Sequence, residues 1–141
     1  MIQRIQTLWL LLVSALSFLT LKTSVYSGHR IKDIIPKPMI FLNASYNPLL
    51  NITAISVGVI AFITIFLFTR RKLQIRLSSF ALFLSIIVLL LYYWQSKSFI
   101  GEESSITITA FIPVLIPVIL ILAIRGIWKD EKLVKGSDRL R

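Results

Sequence analysis

Four long stretches of this 141-residue chain contain no charged side chain. They run from Ile5 to Leu21, Pro38 to Phe68, Leu77 to Gln95 and Ser104 to Ile124, and the second has its apolar core at about Leu49 to Phe68. A helix rises about 1.5 Å per residue, so roughly 20 residues cross the ~30 Å hydrocarbon layer of a bilayer. Three of the windows reach that length, and the first, with 17 residues, lies at the short end of the range. A charge at mid-bilayer costs about 2.5–3.5 kcal/mol, whereas each Leu, Ile, Phe or Val contributes about −0.3 to −0.6 kcal/mol, so all four windows should insert. An open sheet would leave unpaired backbone groups in lipid, and the windows lack the alternation of a barrel strand. The expectation is an all-α membrane protein of one domain, residues 1–141, with four transmembrane helices at about 5–21, 49–69, 77–95 and 105–124.

Composition narrows the class further. With 56% hydrophobic and 16% charged residues, the chain is neither an ordinary soluble globule nor a disordered one. It has no cysteine, hence no disulfide, thiolate metal site or cysteine nucleophile, and its single histidine, His29, cannot build a multi-histidine metal centre. The first window has some features of a cleaved signal peptide, with Arg4 before it and Val25-Tyr26-Ser27 after it. Its apolar run is longer than a usual signal core, which favours retention as a span.

Charge fixes the expected orientation. Placing both termini in the cytoplasm puts 11 Lys and Arg residues inside and 5 outside, in accord with the positive-inside rule. The net charge of +10 then reads as topogenic and lipid-contacting charge attracted to anionic headgroups, and not as a nucleic-acid footprint. Trp9 and Trp128 fall at the inner level, and Tyr92, Tyr93 and Trp94 at the outer level, with Tyr26 and Tyr46 bracketing the outer loop. This is the distribution of an interfacial aromatic belt.

The connections set the order of helices. Residues 22–48 form the one sizeable outer loop, where Pro36 and Pro38 prevent a regular helix and the apolar run around them should lie on the bilayer or against the bundle. Asn47-Pro48 is expected to start the second helix, Asn as N-cap and Pro at the first helical position. Asn43-Ala44-Ser45 and Asn51-Ile52-Thr53 match the glycosylation pattern but are discounted, the second because it lies at the membrane edge. The short links Arg70–Arg76 and Ser96–Glu103 predict two antiparallel hairpins, and residues 125–141 form a basic cytoplasmic tail.

Each window carries small or weakly polar residues on one face: Thr7, Ser14 and Ser17; Ala54, Gly58 and Ala61; Ser78, Ala81 and Ser85; Ala110, Pro113 and Pro117. Such residues let helix backbones approach closely in lipid, so they are candidate packing positions within the bundle or against a partner subunit. Pro113 and Pro117 should bend the fourth helix, as a structural kink or as part of a transport path. No catalytic, cofactor-binding or metal site is expected. Glu102 and Glu103 are adjacent on a loop, His29 with Asp33 makes no triad, and no phosphate loop or metal-ligand cluster is present.

Three stretches share a further character: Met1-Ile2-Gln3-Arg4-Ile5-Gln6-Thr7-Leu8, Arg71-Lys72-Leu73-Gln74-Ile75-Arg76-Leu77, and Lys129-Asp130-Glu131-Lys132-Leu133-Val134-Lys135 followed by Asp138-Arg139-Leu140-Arg141. Together they resemble a family of small four-helix inner-membrane proteins of Gram-negative bacteria, catalogued as a domain of unknown function. The resemblance spans the whole chain and implies a multi-pass protein of the bacterial inner membrane with no assigned activity, cofactor or catalytic residue. Lys135-Gly136-Ser137 departs from the family's tail pattern and leaves open whether the tail is helical through to Arg141.

All three stretches fall on the expected cytoplasmic side. Arg70, Arg71, Lys72 and Arg76 can meet Asp130, Glu131 and Asp138 across that face, or they can dock a partner or lipid together with Lys132, Arg139 and Arg141. Exposed pairs are worth only about 0–1 kcal/mol each, a thin reason for so distinctive a pattern. The functional expectation is a non-enzymatic accessory or scaffold subunit of a larger membrane complex, for instance in protein export or insertion. The alternative is a small solute carrier or channel using the kinked fourth helix.

Overall fold

The computed structural model describes residues 3–28, 40–97 and 105–138. Helix α1 is Gln3–Leu19, α2 is Pro48–Phe66, α3 is Arg71–Ser96 and α4 is Phe111–Asp138. Between them lie three short strands, β1 at Tyr26–Gly28, β2 at Ile40–Leu42 and β3 at Ser105–Ile106, and two 3-10 turns at Ala44–Tyr46 and Ile108–Ala110. Helices α2 and α3, and the apolar run Ile108–Val134 that includes most of α4, are long and apolar enough to cross a membrane, while α1 is a shorter apolar helix. The chain is a helical membrane protein.

Local chemistry accounts for the helix limits. Asn47 caps α2, its side-chain oxygen accepting from the Leu49 N–H at 3.0 Å, and Pro48 occupies the first helical position. The end of α2 tightens through Leu67 N–H to the Thr64 carbonyl at 3.3 Å, and α3 begins four residues later. The fourth helix begins at Phe111, seven residues after the charge-free window opens at Ser104. Residues 105–110 have other partners: β3 pairs antiparallel with β1, the Thr107 N–H bonds the Val25 carbonyl at 3.2 Å, and the Thr109 hydroxyl donates to the Ser24 carbonyl. The β-branched pair Ile106-Thr107 favours such extended backbone before the 3-10 turn at Ile108–Ala110. At its other end α4 passes through Gly136 and stays helical to Asp138.

The sheet, ordered β2-β1-β3, closes one end of the bundle. It sits beyond the end of α1, where Val25 N–H bonds the Leu42 carbonyl at 2.7 Å and Ala44 N–H bonds the Thr20 carbonyl at 3.1 Å. The sequence did not suggest these strands; the apolar loop segment Ile40–Leu42 pairs with β1. Residues 29–39, including Pro36 and Pro38, lie outside the described residues, as do 98–104 with Glu102 and Glu103.

Helix α1 packs against α2 and α4, and α3 packs against the same two helices, which closes the bundle. The inside combines aliphatic residues such as Leu10, Leu50 and Leu120 with small and polar ones, and the outside is large and apolar. Helix α3 buries Gln74, Ser78, Ala81, Ser85, Val88, Tyr92 and Gln95, and exposes Phe80, Phe83 and Leu90. Small residues at the contacts let backbones approach where lipid supplies no hydrophobic drive. Gly58 shows this: a Cβ there would lie 3.2 Å from the Ser17 Cβ and 3.3 Å from the Phe18 ring, so α1 and α2 meet too closely for a larger residue without adjustment. Tyr92 faces this interior, unlike its neighbours Tyr93 and Trp94, which are exposed. It shares the α3 stripe of Val88 and Gln95, and successive helical residues 100° apart cannot all reach the same surface.

Candidate functional site

The end of the bundle opposite the sheet collects the polar and basic groups. Helix α4 carries Asp130 inward on the stripe of Ile116, Leu120, Ala123 and Ile127, and the residue is buried. Burying a carboxylate requires partners. Gln6 of α1 donates from Nε2 to Asp130 Oδ2, and Arg71 at the start of α3 donates from Nη1 to the Asp130 backbone carbonyl at 2.9 Å. Asp130 Oδ1 is buried and finds no hydrogen-bond partner among the described residues. Gly126, one turn before Asp130, makes room for Gln6: a Cβ there would lie 3.1 Å from the Gln6 Cγ. Beside this cluster, buried Gln74 reaches the Thr64 carbonyl at 3.4 Å, and the Thr64 hydroxyl bonds the Ile60 carbonyl at 2.6 Å.

The basic loop therefore meets α4 differently from a surface ion-pair array. Arg71 contacts Asp130 through its backbone, and the carboxylate is taken by Gln6. Arg70, Lys72 and Arg76 are exposed, and with Thr69, Arg71, Leu73 and Val134 they line an open groove of about 690 Å³. Glu131 is half-buried and Lys132 exposed. The side chains of Asp138, Arg139 and Arg141 lie outside the described residues. Of the candidate packing positions, Ala54, Gly58, Ala61 and Pro113 are buried and Pro117 half-buried.

A second polar feature runs up the bundle interior. Ser17 of α1, Thr20 just beyond its end, Ser85 of α3 and Pro113 of α4 contribute to the lining of a cavity of about 10 Å³, room for a single water. The Thr20 hydroxyl donates to the Ser17 carbonyl at 2.6 Å. The Ser17 hydroxyl, the Ser78 hydroxyl and both atoms of the Gln95 amide are buried without a hydrogen-bond partner among the described residues. Pro113 lies in the first turn of α4, where its missing N–H costs no helical bond. Pro117 lies inside the helix and cannot donate to the Pro113 carbonyl.

Sequence reasoning passed over Gln6, Gln74, Gln95 and Gly126. For Gln6 and Gln95 a signal was available, since a lone amide inside an apolar window favours the bundle interior over lipid, whereas Gln74 and Gly126 lie outside the windows. Among the described residues, no group of His, Asp and Glu is placed to hold a metal ion.

The apolar exterior, the interior holding small and polar residues among aliphatic ones, and the basic end define a four-helix membrane bundle with an ordered polar end. The chain belongs to the family described as domain of unknown function DUF4293, whose model matches residues 2–140. No curated protein and no solved structure matches it.

Proposed function

We propose that this protein is a non-enzymatic accessory or scaffold subunit of a larger complex in the bacterial inner membrane. Its four helices span as two antiparallel hairpins with both termini in the cytoplasm, as the excess of Lys and Arg at that end supports. Its partners are other membrane proteins and anionic phospholipid headgroups rather than nucleic acid, and a protein-export or insertion machine is a candidate host. The observation that carries this reading is the pinned extension of α4. Beyond the contacts that Asp130 makes with Gln6 and Arg71, the helix continues and presents Lys132, Leu133 and Val134 at the surface, with Trp128 exposed one turn earlier. Exposed apolar residues held on a fixed helix beside a basic groove suit a protein contact better than they suit solvent.

Affinity purification in mild detergent tests it. The full chain should bring down a stoichiometric membrane partner. A chain truncated after Glu131 keeps the Asp130 contacts and should lose that partner. Recovery of the full chain alone, as one homogeneous species, would contradict the scaffold reading.

The polar interior favours a second reading, a small solute carrier or channel. Ser17, Thr20 and Ser85 share the lining of one small cavity with Ala54, Val57, Val88, Pro113 and Ile116, and Pro117, one turn beyond Pro113, leaves a helix carbonyl without its donor. Solute flux through purified protein in liposomes, abolished by filling the cavity with Ser17→Leu, is the result that would establish it.

A further inference from the structure

We infer that the groove between the start of α3 and the α4 extension binds the headgroup of an anionic phospholipid. Arg70, Lys72 and Arg76 are exposed and line it together with Arg71. Lys72 and Arg76 stand four residues apart on one face of α3, so their charges converge on the same space. Arg70 is the N-cap of α3 and provides no side-chain cap. The N–H groups of Arg71 and Lys72 precede the first intrahelical bonds, which run from Leu73 and Gln74 to the Arg70 carbonyl at 3.0 Å. Four cations beside the positive end of a helix form a phosphate-binding environment.

The rest of the lining selects a lipid over a free anion. Leu73 and Val134 form an apolar wall in the same groove, 38% and 45% exposed. The chain arrives at the groove from the apolar span α2 through exposed Phe66 and Phe68. The cations therefore stand where the apolar surface ends, at headgroup depth, with apolar surface continuing toward the acyl chains. A phosphodiester with a hydrocarbon tail satisfies both halves of the groove. Inorganic phosphate satisfies one. The inference rests on reading this end of the bundle as its lipid- and partner-contacting face, and it adds the position and chemistry of one site.

Native mass spectrometry of the delipidated, detergent-purified protein provides the test. Titration with dioleoylphosphatidylglycerol should give one saturable adduct, and dioleoylphosphatidylcholine should bind about tenfold more weakly or less. Each cation near an anionic headgroup contributes about a fivefold gain in affinity, so R70Q/K72Q/R76Q should weaken phosphatidylglycerol binding about 100-fold. Arg71 is kept in that variant because it holds Asp130. Lys129→Gln, an exposed cation of α4 outside the groove, should bind as the unaltered protein does. If the triple variant fails to fold, Lys72→Gln alone should still weaken binding about fivefold. Excess inorganic phosphate should leave the lipid adduct in place. Equal binding of the two lipids, undiminished binding by the groove variants, or displacement of the lipid by phosphate would each overturn the inference. A protein that fails these lipid tests yet retains its membrane partner would leave the scaffold reading standing.

Discussion

Asp130 brings a carboxylate to the packed end of an apolar bundle, and Gln6 is the residue that makes this tolerable. Replacing Gln6 with Leu strands the carboxylate and should destabilise the bundle by about 1–3 kcal/mol in thermal or denaturant unfolding in detergent. The double variant Gln6→Leu, Asp130→Leu removes both polar groups and should be more stable than Gln6→Leu alone, since a buried pair replaced by apolar residues is often neutral. Gly126 supplies a linked test. Gly126→Ala crowds the pinned Gln6 side chain and should destabilise the protein, whereas in a Gln6→Ala background the same change should stabilise it by up to about 1 kcal/mol through helix propensity. At this scale the sequence was only partly legible. The basic loop and the acidic residues of the tail were visible as partners, and Arg71 does meet Asp130, though at its carbonyl. The carboxylate's own partner was not visible, because Gln6 lies 124 positions away inside a window defined by the absence of charge.

Among the elements, α2 and α4 show when local chemistry suffices and when it does not. Asn47 and Pro48 encode the start of α2 within two residues, so the helix begins where the sequence places it. Asn47→Ala should cost about 1 kcal/mol. The start of α4 depends on strand β1, some eighty positions earlier, through the Thr107 and Thr109 bonds to the loop after α1. A charge-free window cannot separate a β-branched strand from the helix that follows it. The two prolines of α4 also differ in cost. Pro117→Ala restores a donor to the helix ladder and should raise the unfolding temperature. Pro113→Ala, in the first turn, should change it little. Equal shifts for the two would mean that the Pro117 break carries no strain.

For the molecule as a whole, the membrane character and the count of helices were legible because bilayer thickness fixes how long an apolar run must be. The polar interior was less legible, since Ser, Thr and Gln scattered through apolar windows acquire meaning only when the bundle closes. Orientation in the membrane can be read directly. The chain has no native cysteine, so single-cysteine variants can be labelled without background. His29→Cys should react with a membrane-impermeant thiol reagent added outside intact cells, and Lys132→Cys should react only after the membrane is permeabilised. Labelling of both from outside would overturn the assignment of the termini to the cytoplasm.

The sheet fastens the end of α1 to the segments leading into α2 and α4, and Asp130 fastens the start of α1 to α4 and α3 at the opposite rim. First and last helices are thus clasped twice, once at each end of the bundle. Any rocking motion that opened the interior toward one side would have to unzip strands, and toward the other it would have to expose a carboxylate. A structure clasped in this way can rotate or flex as a unit far more cheaply than it can gape. Such a clasped bundle suits the scaffold reading, in which contacts are made on the outside of the helices and at the charged rim.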